Sequence, residues 1–420
     1  MPESFRRRMR ARRAFGILIA ALLGAVPAAC RAEHLFTNIV DTNTSAPLGN
    51  FSEFGGASLS GGLVSFDAWF NGTFGSPGIS SGVFTSTGGS PTTIAKKGDP
   101  APVGTWTVFG NASPASGSET AFVGIYSGNS NIGIYKGSGG ALTPIVNKGD
   151  PAPVGAFLNF QNPTMRGNTV AFQGAYSGGV GVFTASGGAL TTIAKAGDAA
   201  PVGTFSSFGN TPGLDVASVA FLGRYAGDSA KGIFLGEGGA LTTVATTDDA
   251  APNGTFTNFD WPSLSDGTAA FRAFYPGGQG IFTGSGGALT TIAKTGDAAP
   301  EGTFTSFLFA QNGVSISGNS VVFQASYGNG SNYGIFLSRG GAPELLLGTT
   351  DPLFGSTVSS VDIGTFAADG NQVAFRYILS DGRRGIAVVT VPEPSTYALG
   401  AVALVGLLAF RKRKTVSCPI

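Results

Sequence analysis

An aspartate recurs at one place in a repeated loop, and it has the clearest potential for chemistry in this sequence. The loop has the sequence GDPAPVG or GDAAPVG, with two weaker copies. Its aspartates are Asp99, Asp150, Asp198, Asp249, Asp297 and Asp351. Carboxylates gathered on one rim of a fold can bind Ca²⁺ or a sugar. The plainer interpretation is a turn in which Asp accepts backbone N–H bonds, since Gly-Asp before Pro favours turns.

The surroundings of these aspartates favour the structural interpretation. Lys96, Lys195 and Lys294 each lie three residues before an aspartate and can neutralise it. No stretch has the spacing of an EF-hand or of a nonapeptide calcium repeat. We therefore expect no cofactor, and Ca²⁺ on the aspartate loops stays open as the second possibility.

Histidine and cysteine are too scarce for most catalytic or metal-binding sets. The one histidine is His34, and the two cysteines are Cys30 and Cys418, near the chain ends. Within the body of the chain, residues 33–390, no Ser-His-Asp or Cys-His relay and no multi-histidine metal site can therefore form. Glycoside hydrolysis needs only two carboxylates, so a carbohydrate-active hydrolase with paired carboxylates remains possible. Trp261 with Arg272 on one repeat is the candidate pair for stacking a sugar.

The charge distribution argues against a nucleic-acid partner. The whole chain has a formal net charge of +1, but its basic residues are concentrated at the ends. Residues 33–390 hold 14 basic and 22 acidic side chains, a net of −8. No basic stripe exists there to contact phosphates.

A period of about 50 residues organises the body of the chain. Its landmark is a Phe after a small or aliphatic residue, at Phe66, Phe122, Phe172, Phe221, Phe271, Phe323 and Phe375, with steps of 56, 50, 49, 50, 52 and 52 residues. Each repeat has four short segments rich in Phe, Val, Ile and Thr, bounded by Gly, Asn, Asp or Pro, which predicts β-strands. Four strands per repeat in tandem predict an all-β, seven-bladed β-propeller of four-stranded blades.

The two ends of the body predict how the ring closes. The last repeat ends after NQVAFRYI and RRGIAVVTV, without a fourth strand. The body begins with HLFTNIVD, which is similar to the fourth strand and loop start ALTTIAKAGD. The strand Leu35–Val40 is therefore expected to complete the last blade and remove the exposed edges of an open array. A β-solenoid is the rival fold.

Aromatic residues and glycines should set the packing between blades. The Phe of each VAF-like strand and the aromatic of each GIF-like strand should form aromatic layers between facing blades. The Gly before each Ile/Val-Phe pair should allow a close approach or a bulge.

Residues 1–32 have the order of a secretory signal peptide. Six arginines precede an apolar run from Ala14 to Val26, and small residues follow it. The pair Arg12-Arg13 also fits a twin-arginine signal, so the export route stays open between Sec and twin-arginine. Cys30 would also be compatible with a lipoprotein signal, but Pro27 occupies a position where such a signal has an aliphatic residue.

Residues 391–420 combine Pro392-Glu393-Pro394, an uncharged run and the basic cluster Arg411, Lys412, Arg413 and Lys414. The run from Tyr397 to Phe410 has 14 residues and would extend roughly 21 Å as a helix. A bilayer core of about 30 Å normally takes about 20 residues. The segment is therefore expected to associate with the membrane transiently, with its basic end on the cytoplasmic side.

This C-terminal pattern resembles the PEP-CTERM sorting signal of exported bacterial proteins. The resemblance implies processing at the inner membrane by an exosortase, in bacteria that make exopolysaccharide. The tail TVSCPI after the basic cluster departs from the pattern of many members. The run PSLSDGTAAFRAFYPGGQGIFTGSGGALTTIAKTGD in turn resembles the repeat of TolB-like propellers. That second resemblance implies a fold and not a function.

The sequence thus predicts three regions: a signal peptide at 1–32, a seven-repeat propeller at 33–390 and a sorting signal at 391–420. The first functional hypothesis is an exported, non-catalytic interaction or structural module of the cell surface or exopolysaccharide matrix. It would pass through an inner-membrane intermediate and end at the cell surface, outer membrane or matrix. The second hypothesis is the carbohydrate-active hydrolase.

Overall fold

The computed structural model describes residues 34–72, 78–110, 114–307 and 313–392. These residues form seven antiparallel sheets, and no helix occurs among them. Contacts cluster residues Phe36–Val391 into one compact unit. The signal peptide and all of the sorting signal after Pro392 lie outside the described residues. Within those residues, no helix is long and apolar enough to cross a membrane.

Each sheet is one blade, and the blades follow one another along the chain. Blade one contains β2 (Phe51–Ser60), β3 (Leu63–Phe70), β4 (Ser80–Ser86) and β5 (Thr92–Lys96). Blade two contains β6 (Trp106–Phe109), β7 (Ala115–Ser116), β8 (Glu119–Tyr126), β9 (Asn131–Gly137) and β10 (Thr143–Asn147). Blade three contains β11 (Phe157–Phe160), β12 (Thr164–Arg166), β13 (Thr169–Tyr176), β14 (Gly179–Ser186) and β15 (Ala189–Lys195). Blade four contains β16 (Phe205–Phe208), β17 (Gly213–Leu214), β18 (Val219–Tyr225), β19 (Ala230–Gly236) and β20 (Thr242–Thr246). Blade five contains β21 (Asn258–Phe259), β22 (Ser263–Ser265), β23 (Thr268–Tyr275), β24 (Gly278–Gly284) and β25 (Thr290–Lys294).

The last two blades complete the ring. Blade six contains β26 (Phe304–Phe307), β27 (Val314–Ser317), β28 (Ser320–Tyr327), β29 (Asn332–Ser338) and β30 (Glu344–Gly348). Blade seven contains β31 (Pro352–Leu353), β32 (Ser356–Asp362), β33 (Ala368–Asp369), β34 (Gln372–Leu379) and β35 (Arg384–Thr390). Its outermost strand is β1 (Leu35–Asp41), from the N-terminal end of the body. The pairing of β1 with β35 confirms the predicted closure by the N-terminal strand. The predicted fold, a seven-bladed propeller, is confirmed.

Within a blade we call the strands A to D, from the innermost to the outermost. Strand A is interrupted in most blades, and its second segment lies innermost. These segments contact one another in a closed circle that runs through β2, β7, β12, β17, β22, β27 and β33. The turn from strand A to strand B therefore lies at one mouth of the central channel. The aspartate loop, which joins strand D to the next strand A, lies at the other end of the blade.

The two faces of each blade carry different side chains, because neighbouring residues on a strand point to opposite faces. In blade three the aromatic face consists of Phe157, Phe160, Phe172 and Phe183. It packs against the aliphatic face of blade two, with Val123 and Ile134. Seven clusters of this kind join all consecutive blades, including blade seven to blade one. The expected aromatic layer is thus one-sided: aromatic rings meet aliphatic side chains across the junctions. Blade seven departs from this, with Val358, Val361 and Ala387 at three of its four aromatic positions.

Ring geometry within the aromatic face is also repeated. The Phe157 and Phe183 rings lie 5.2 Å apart with their planes at 87°, an edge-to-face contact. The Phe172 and Phe183 rings lie 5.7 Å apart on directly opposite residues of strands B and C. Edge-to-face and offset pairs of this kind stabilise a core beyond the area they bury.

The glycine before each Ile/Val-Phe pair is explained by close approach and by a bulge together. A Cβ at Gly232 would lie 2.7 Å from the Ala245 carbonyl oxygen and 2.9 Å from the Phe234 ring. All seven equivalent glycines have an outer-strand carbonyl oxygen within 3.0 Å of that position. In blade four the register between strands C and D shifts directly after Ile233. The bulge brings the outer strand over the glycine, so no side chain fits there.

This packing predicts different outcomes for two glycines of blade four. Gly232→Ala should lower the free energy of unfolding by about 2 kcal/mol, because the new methyl overpacks backbone and ring atoms. Gly239→Ala is the matched control, since no atom lies within 4 Å of its Cβ position. Chemical denaturation of both variants measures the difference. Equal stabilities would contradict the close approach seen at Gly232.

Candidate functional site

All six sequence-predicted aspartates close their own loop by the same two hydrogen bonds. In each, the backbone N–H of the residue three positions earlier donates to Asp Oδ2 at 2.7–3.2 Å. The Asp N–H donates back to the carbonyl of that same residue. Each carboxylate therefore holds the end of strand D in a turn, the arrangement expected of an Asx-type loop.

The residue three positions earlier differs between blades. Lys96, Lys195 and Lys294 each donate from Nζ to Oδ1 of their aspartate, with 2.6 Å between Lys294 and Asp297. The other three loops have Asn147, Thr246 and Gly348 at this position. These lysines are about one-third exposed, so each pair adds little to stability.

The seventh loop follows β1 and has the same hydrogen bonds as the other six, but with different residues at the two positions that make them. The Asp41 N–H donates to Thr44 Oγ1 at 3.0 Å, so Thr44 takes the place of the loop aspartate. Asp41 therefore lies at the position that the lysine has in other loops. When HLFTNIVD is matched to ALTTIAKAGD by their final aspartates, Asp41 would instead be the loop aspartate. The Phe51 N–H donates to the Thr44 carbonyl just as the Phe205 N–H donates to that of Asp198.

The aspartates do not meet in one site. Within the described ranges, no three His, Cys, Asp or Glu side chains lie close enough to hold a metal ion together. Each loop instead lies beside its own blade junction.

Three junctions present the same groove on the outer side of the ring. The grooves lie between blades one and two, three and four, and four and five, with volumes of about 420, 510 and 740 Å³. Each is lined by equivalent residues: the loop aspartate, its Ala-Pro segment, the first aromatic of strand A and a leucine of the C–D turn. Asp99, Asp198 and Asp249 are the carboxylates concerned.

A network of charges at the junction of blades seven and one breaks the repeat symmetry. Glu53 on strand A of blade one accepts from Arg376, at 3.4 Å, and from Arg384. Arg376 also donates to Asp362 at 2.6 Å. Glu53 and Asp362 are buried, so removal of either arginine would leave a buried charge uncompensated.

Versions of the same contact without an acidic partner occur at other junctions. Lys231 Nζ donates to Asn258 Oδ1 at 2.8 Å, and Gln279 Nε2 donates to Ser306 Oγ at 2.9 Å. Both donors stand directly before the strand C glycine, as Arg384 does. The network around Glu53 is therefore the form of this contact with charges on both sides, and it likewise ties strand C to the next blade. Aligning the repeats by their glycines would have revealed these pairs in the sequence.

The residue after the strand B phenylalanine makes a second contact between blades. Arg272 donates to the Phe307 carbonyl, Gln324 to the Val361 carbonyl at 2.7 Å, and Arg376 to the Phe54 carbonyl at 3.1 Å. Arg272 also pairs with Asp260 and lies 4.5 Å over the Phe274 ring. Trp261 contacts Gly209 of blade four instead, where a Cβ would lie 2.6 Å from the indole. The suggested sugar-stacking pair of Trp261 and Arg272 is thus engaged in packing.

Asp67 holds this same position on blade one and is the irregular member. Burial raises the pKa of its carboxyl to about 8, against the lowering effects of its backbone hydrogen bond and of Arg376. Its Oδ1 is buried without a hydrogen-bond partner among the described residues. A side chain at Gly55 would collide with this carboxyl. A carboxyl with its pKa near 8 keeps its proton through most of the neutral range, and only that form has a hydrogen to donate.

The raised pKa of Asp67 predicts a specific pH dependence of stability. The unfolded carboxyl loses its proton near 3.8, whereas the folded one keeps it to about 8, so stability falls as pH rises between these values. The slope should approach 1.4 kcal/mol per pH unit, to order of magnitude. Asp67→Asn should abolish this slope, and the variant should gain stability relative to wild type as pH rises from 4 to 8.

Denaturation at a series of pH values tests this, with Asp266→Asn as the control that removes an exposed carboxylate. A variant Asp67→Asn that is less stable than wild type at pH 7, with no recovery toward pH 8, would show an ionised, paired Asp67.

Solved structures support the fold. The β-propeller domain of the Trilobed protease from Pyrococcus furiosus, described as having an open velcro topology, has a TM-score of 0.53 at 10% identity. The match covers 82% of this chain and 97% of that one. Prolyl oligopeptidase B from Galerina marginata has a TM-score of 0.47 at 11% identity, covering 83% of this chain and 50% of that one. The polysaccharide lyase Uly1 has 0.47 at 10%, covering 86% and 98%. The first likeness shows the propeller fold alone, and the two below 0.5 add nothing to it.

Curated protein sequences give no significant match to this chain. Residues 390–414 match the PEP-CTERM protein-sorting motif, as the resemblance implied. This motif marks an exported, surface-sorted protein and implies processing by an exosortase and the export machinery. The repeats match a different model twice, at residues 33–178 and 156–331. Since these matches together span most of the propeller, the chain belongs to DUF7453, described as a family of unknown function.

Proposed function

We propose that this exported propeller is a non-catalytic interaction or structural module of the cell surface or exopolysaccharide matrix. The observation that carries the proposal is the repetition of one groove at three blade junctions, lined by equivalent residues. A catalytic site needs one constellation of groups held in register. Equivalent sites on one rigid ring instead suit a partner with repeating units, because several weak contacts then act together.

The loop aspartates serve this module as structural caps and as polar ends of the grooves. Asp99, Asp198 and Asp249 each use Oδ2 for the loop. Asp99 and Asp198 also accept from a lysine through Oδ1, and the lone pairs that remain on each carboxylate can serve a partner in the groove. The module needs no cofactor in this proposal. Ca²⁺ bound by these loops is the alternative that a chelator distinguishes.

Sorting gives the proposed route. The protein passes through an inner-membrane intermediate held by the segment Tyr397–Phe410. Processing at Pro392–Pro394 then sends it to the outer membrane, the cell surface or the matrix. Its repeats are proposed to be of the TolB-like kind, since PSLSDGTAAF and GQGIFTG follow that pattern. The acidic body makes polysaccharide or surface protein a more suitable partner than nucleic acid.

A carbohydrate-active hydrolase is the second candidate, and the junction of blades seven and one is what favours it. Glu53 and Asp362 form ion pairs with arginines there, and burial raises the pKa of Asp67 on blade one to about 8. Two carboxyl groups in opposite protonation states are the requirement of glycoside hydrolysis. The burial of Asp67 weighs against its reaching a substrate.

Co-sedimentation with the host's own exopolysaccharide separates the two candidates. The mature protein should sediment with the polymer, equally in EDTA, and release no reducing ends. Asp249→Asn should weaken binding by less than roughly twofold because the other grooves remain, and the combined change at Asp99, Asp198 and Asp249 should weaken it further. Asp248→Asn is the matched control, since it removes an exposed carboxylate one residue away.

Release of sugars that disappears with Glu53→Gln would establish the hydrolase instead. Loss of sedimentation in EDTA, restored by Ca²⁺, would show that the loops hold a cation. Failure of the unmodified protein to sediment with any matrix polymer would contradict the proposed function.

A further inference from the structure

The channel mouth at the A–B turns is held by a ring of hydrogen bonds between blades. A glycine N–H of one turn donates to a side chain of the preceding blade at five junctions. The pairs are Gly167 to Ser116 at 2.7 Å, Gly267 to Asp215 at 3.2 Å, Gly318 to Ser265 at 3.0 Å, Gly370 to Ser317 at 3.0 Å and Gly61 to Asp369 at 2.5 Å. These bonds join neighbouring turns where the sheets themselves do not pair.

A second tier lies two residues deeper in the channel. Ser58, Ser263 and Ser315 accept a backbone N–H from the next blade at 3.2, 3.3 and 3.0 Å. The hydroxyl of each serine therefore satisfies an inner-strand donor that no other strand covers.

Neither tier is present at the junction of blades three and four; the first tier is also missing between blades one and two, and the second occurs at three junctions among the described residues. Arg166 occupies the position of the accepting side chain, and a guanidinium has no acceptor. Val216 stands where other turns have glycine, and 77% of it is exposed. Thr164 occupies the deeper position, where its fully buried Oγ1 has no hydrogen-bond partner among the described residues. The hydrogen bonds of the other junctions are thus replaced here by a half-exposed cation at the mouth, paired with Asp215.

A cavity of about 500 Å³ opens at this point. Its lining combines Arg166 with the polar groups of Ser60, Ser116, Asn168 and Thr169 and with the apolar surface of Val216. The Arg166 side chain is 52% exposed and forms an ion pair with Asp215 of blade four, in which Nε lies 3.9 Å from Oδ1, beyond hydrogen-bonding distance. Its N–H groups keep their hydrogen-bonding capacity for a ligand, which would compete with Asp215 for the charge. Asp369 lines the far side, where it already accepts from Gly61.

We propose that this mouth binds an acidic saccharide, with a sugar carboxylate on Arg166. A guanidinium presents two parallel N–H donors that match a carboxylate. The surrounding hydroxyl and amide groups pair with sugar hydroxyls, and Val216 contacts the C–H face of a ring. The volume is that of a small-molecule site and exceeds the need of a free inorganic anion. The proposal rests on the proposed function and adds to it a second site, at the channel mouth, with a stated sugar class.

Calorimetric titration of the mature protein with tri-galacturonate tests the site, with maltotriose as the neutral probe and a short poly-glutamate as the acidic peptide. Tri-galacturonate should bind, and maltotriose should bind at least about tenfold more weakly, as loss of one charge-assisted pair requires. Arg166→Gln should cause a similar loss for tri-galacturonate, and Arg166→Lys a smaller one. Arg224→Gln, which removes the same charge at the opposite end of a blade, should change nothing.

A second variant guards against an indirect effect of losing Arg166. Val216→Glu adds a negative charge at the exposed rim and should weaken tri-galacturonate binding while leaving thermal stability unchanged. Unaltered affinity in Arg166→Gln, no binding by the wild type, or equal affinity for poly-glutamate would each overturn the proposal. Sedimentation with the host polymer that persists in such a case would leave the proposed function standing, and its loss as well would remove both.

Discussion

Everything in this molecule depends on the contact between the aromatic face of one blade and the aliphatic face of the blade before it. That contact is made seven times, and the seventh requires the two ends of the body to meet. Ile39 and Val40 of the N-terminal strand join the cluster that contains Phe51, Phe54 and Phe66 of blade one. Closure therefore both completes blade seven and buries the last exposed face. A linear array of the same repeats would leave that face in water.

The repeat dictates most of the fold, and this part could be predicted from the sequence. Phe and Ala alternate along strand B, glycine precedes each strand C pair, and turn residues separate the strands, so the local preferences all agree. The loop aspartates were also visible as a set. Their separate placement was not, because spacing along the chain does not say whether loops converge or stand one at each junction.

What could not be predicted are the contacts whose partners lie on the next blade. Asp67 looks like any strand residue until Gly55 and the buried junction around it are known. Arg166 looks like a surface turn residue until its counterparts are seen to bridge blades. The exchange of Asp41 and Thr44 depends on the register of β1 against β35, and similarity between short segments did not fix that register. Such irregular residues carry meaning only relative to the regular positions they replace.

Symmetry and its interruptions divide the proposed work. The regular positions build similar grooves at three junctions on the outside, which suit a repeating partner, and the irregular ones lie toward the channel and at ring closure. The charged network of Glu53, Arg376 and Arg384 links blades seven and one, at the junction where the two ends of the body meet. At the junction of blades three and four, Arg166 makes a longer ion pair with Asp215 and is half-exposed, which leaves it accessible to the proposed ligand.

The central claim, that this propeller is sorted and leaves the inner membrane to act at the surface or in the matrix, is tested most directly by one mass. The intact mass of the mature protein should be measured from the host's envelope and from its medium. We expect a chain without the signal peptide that ends near Pro392–Pro394. A mass that retains Arg411–Lys414 would contradict this, because the segment Tyr397–Phe410 would then remain with the protein as a membrane tether.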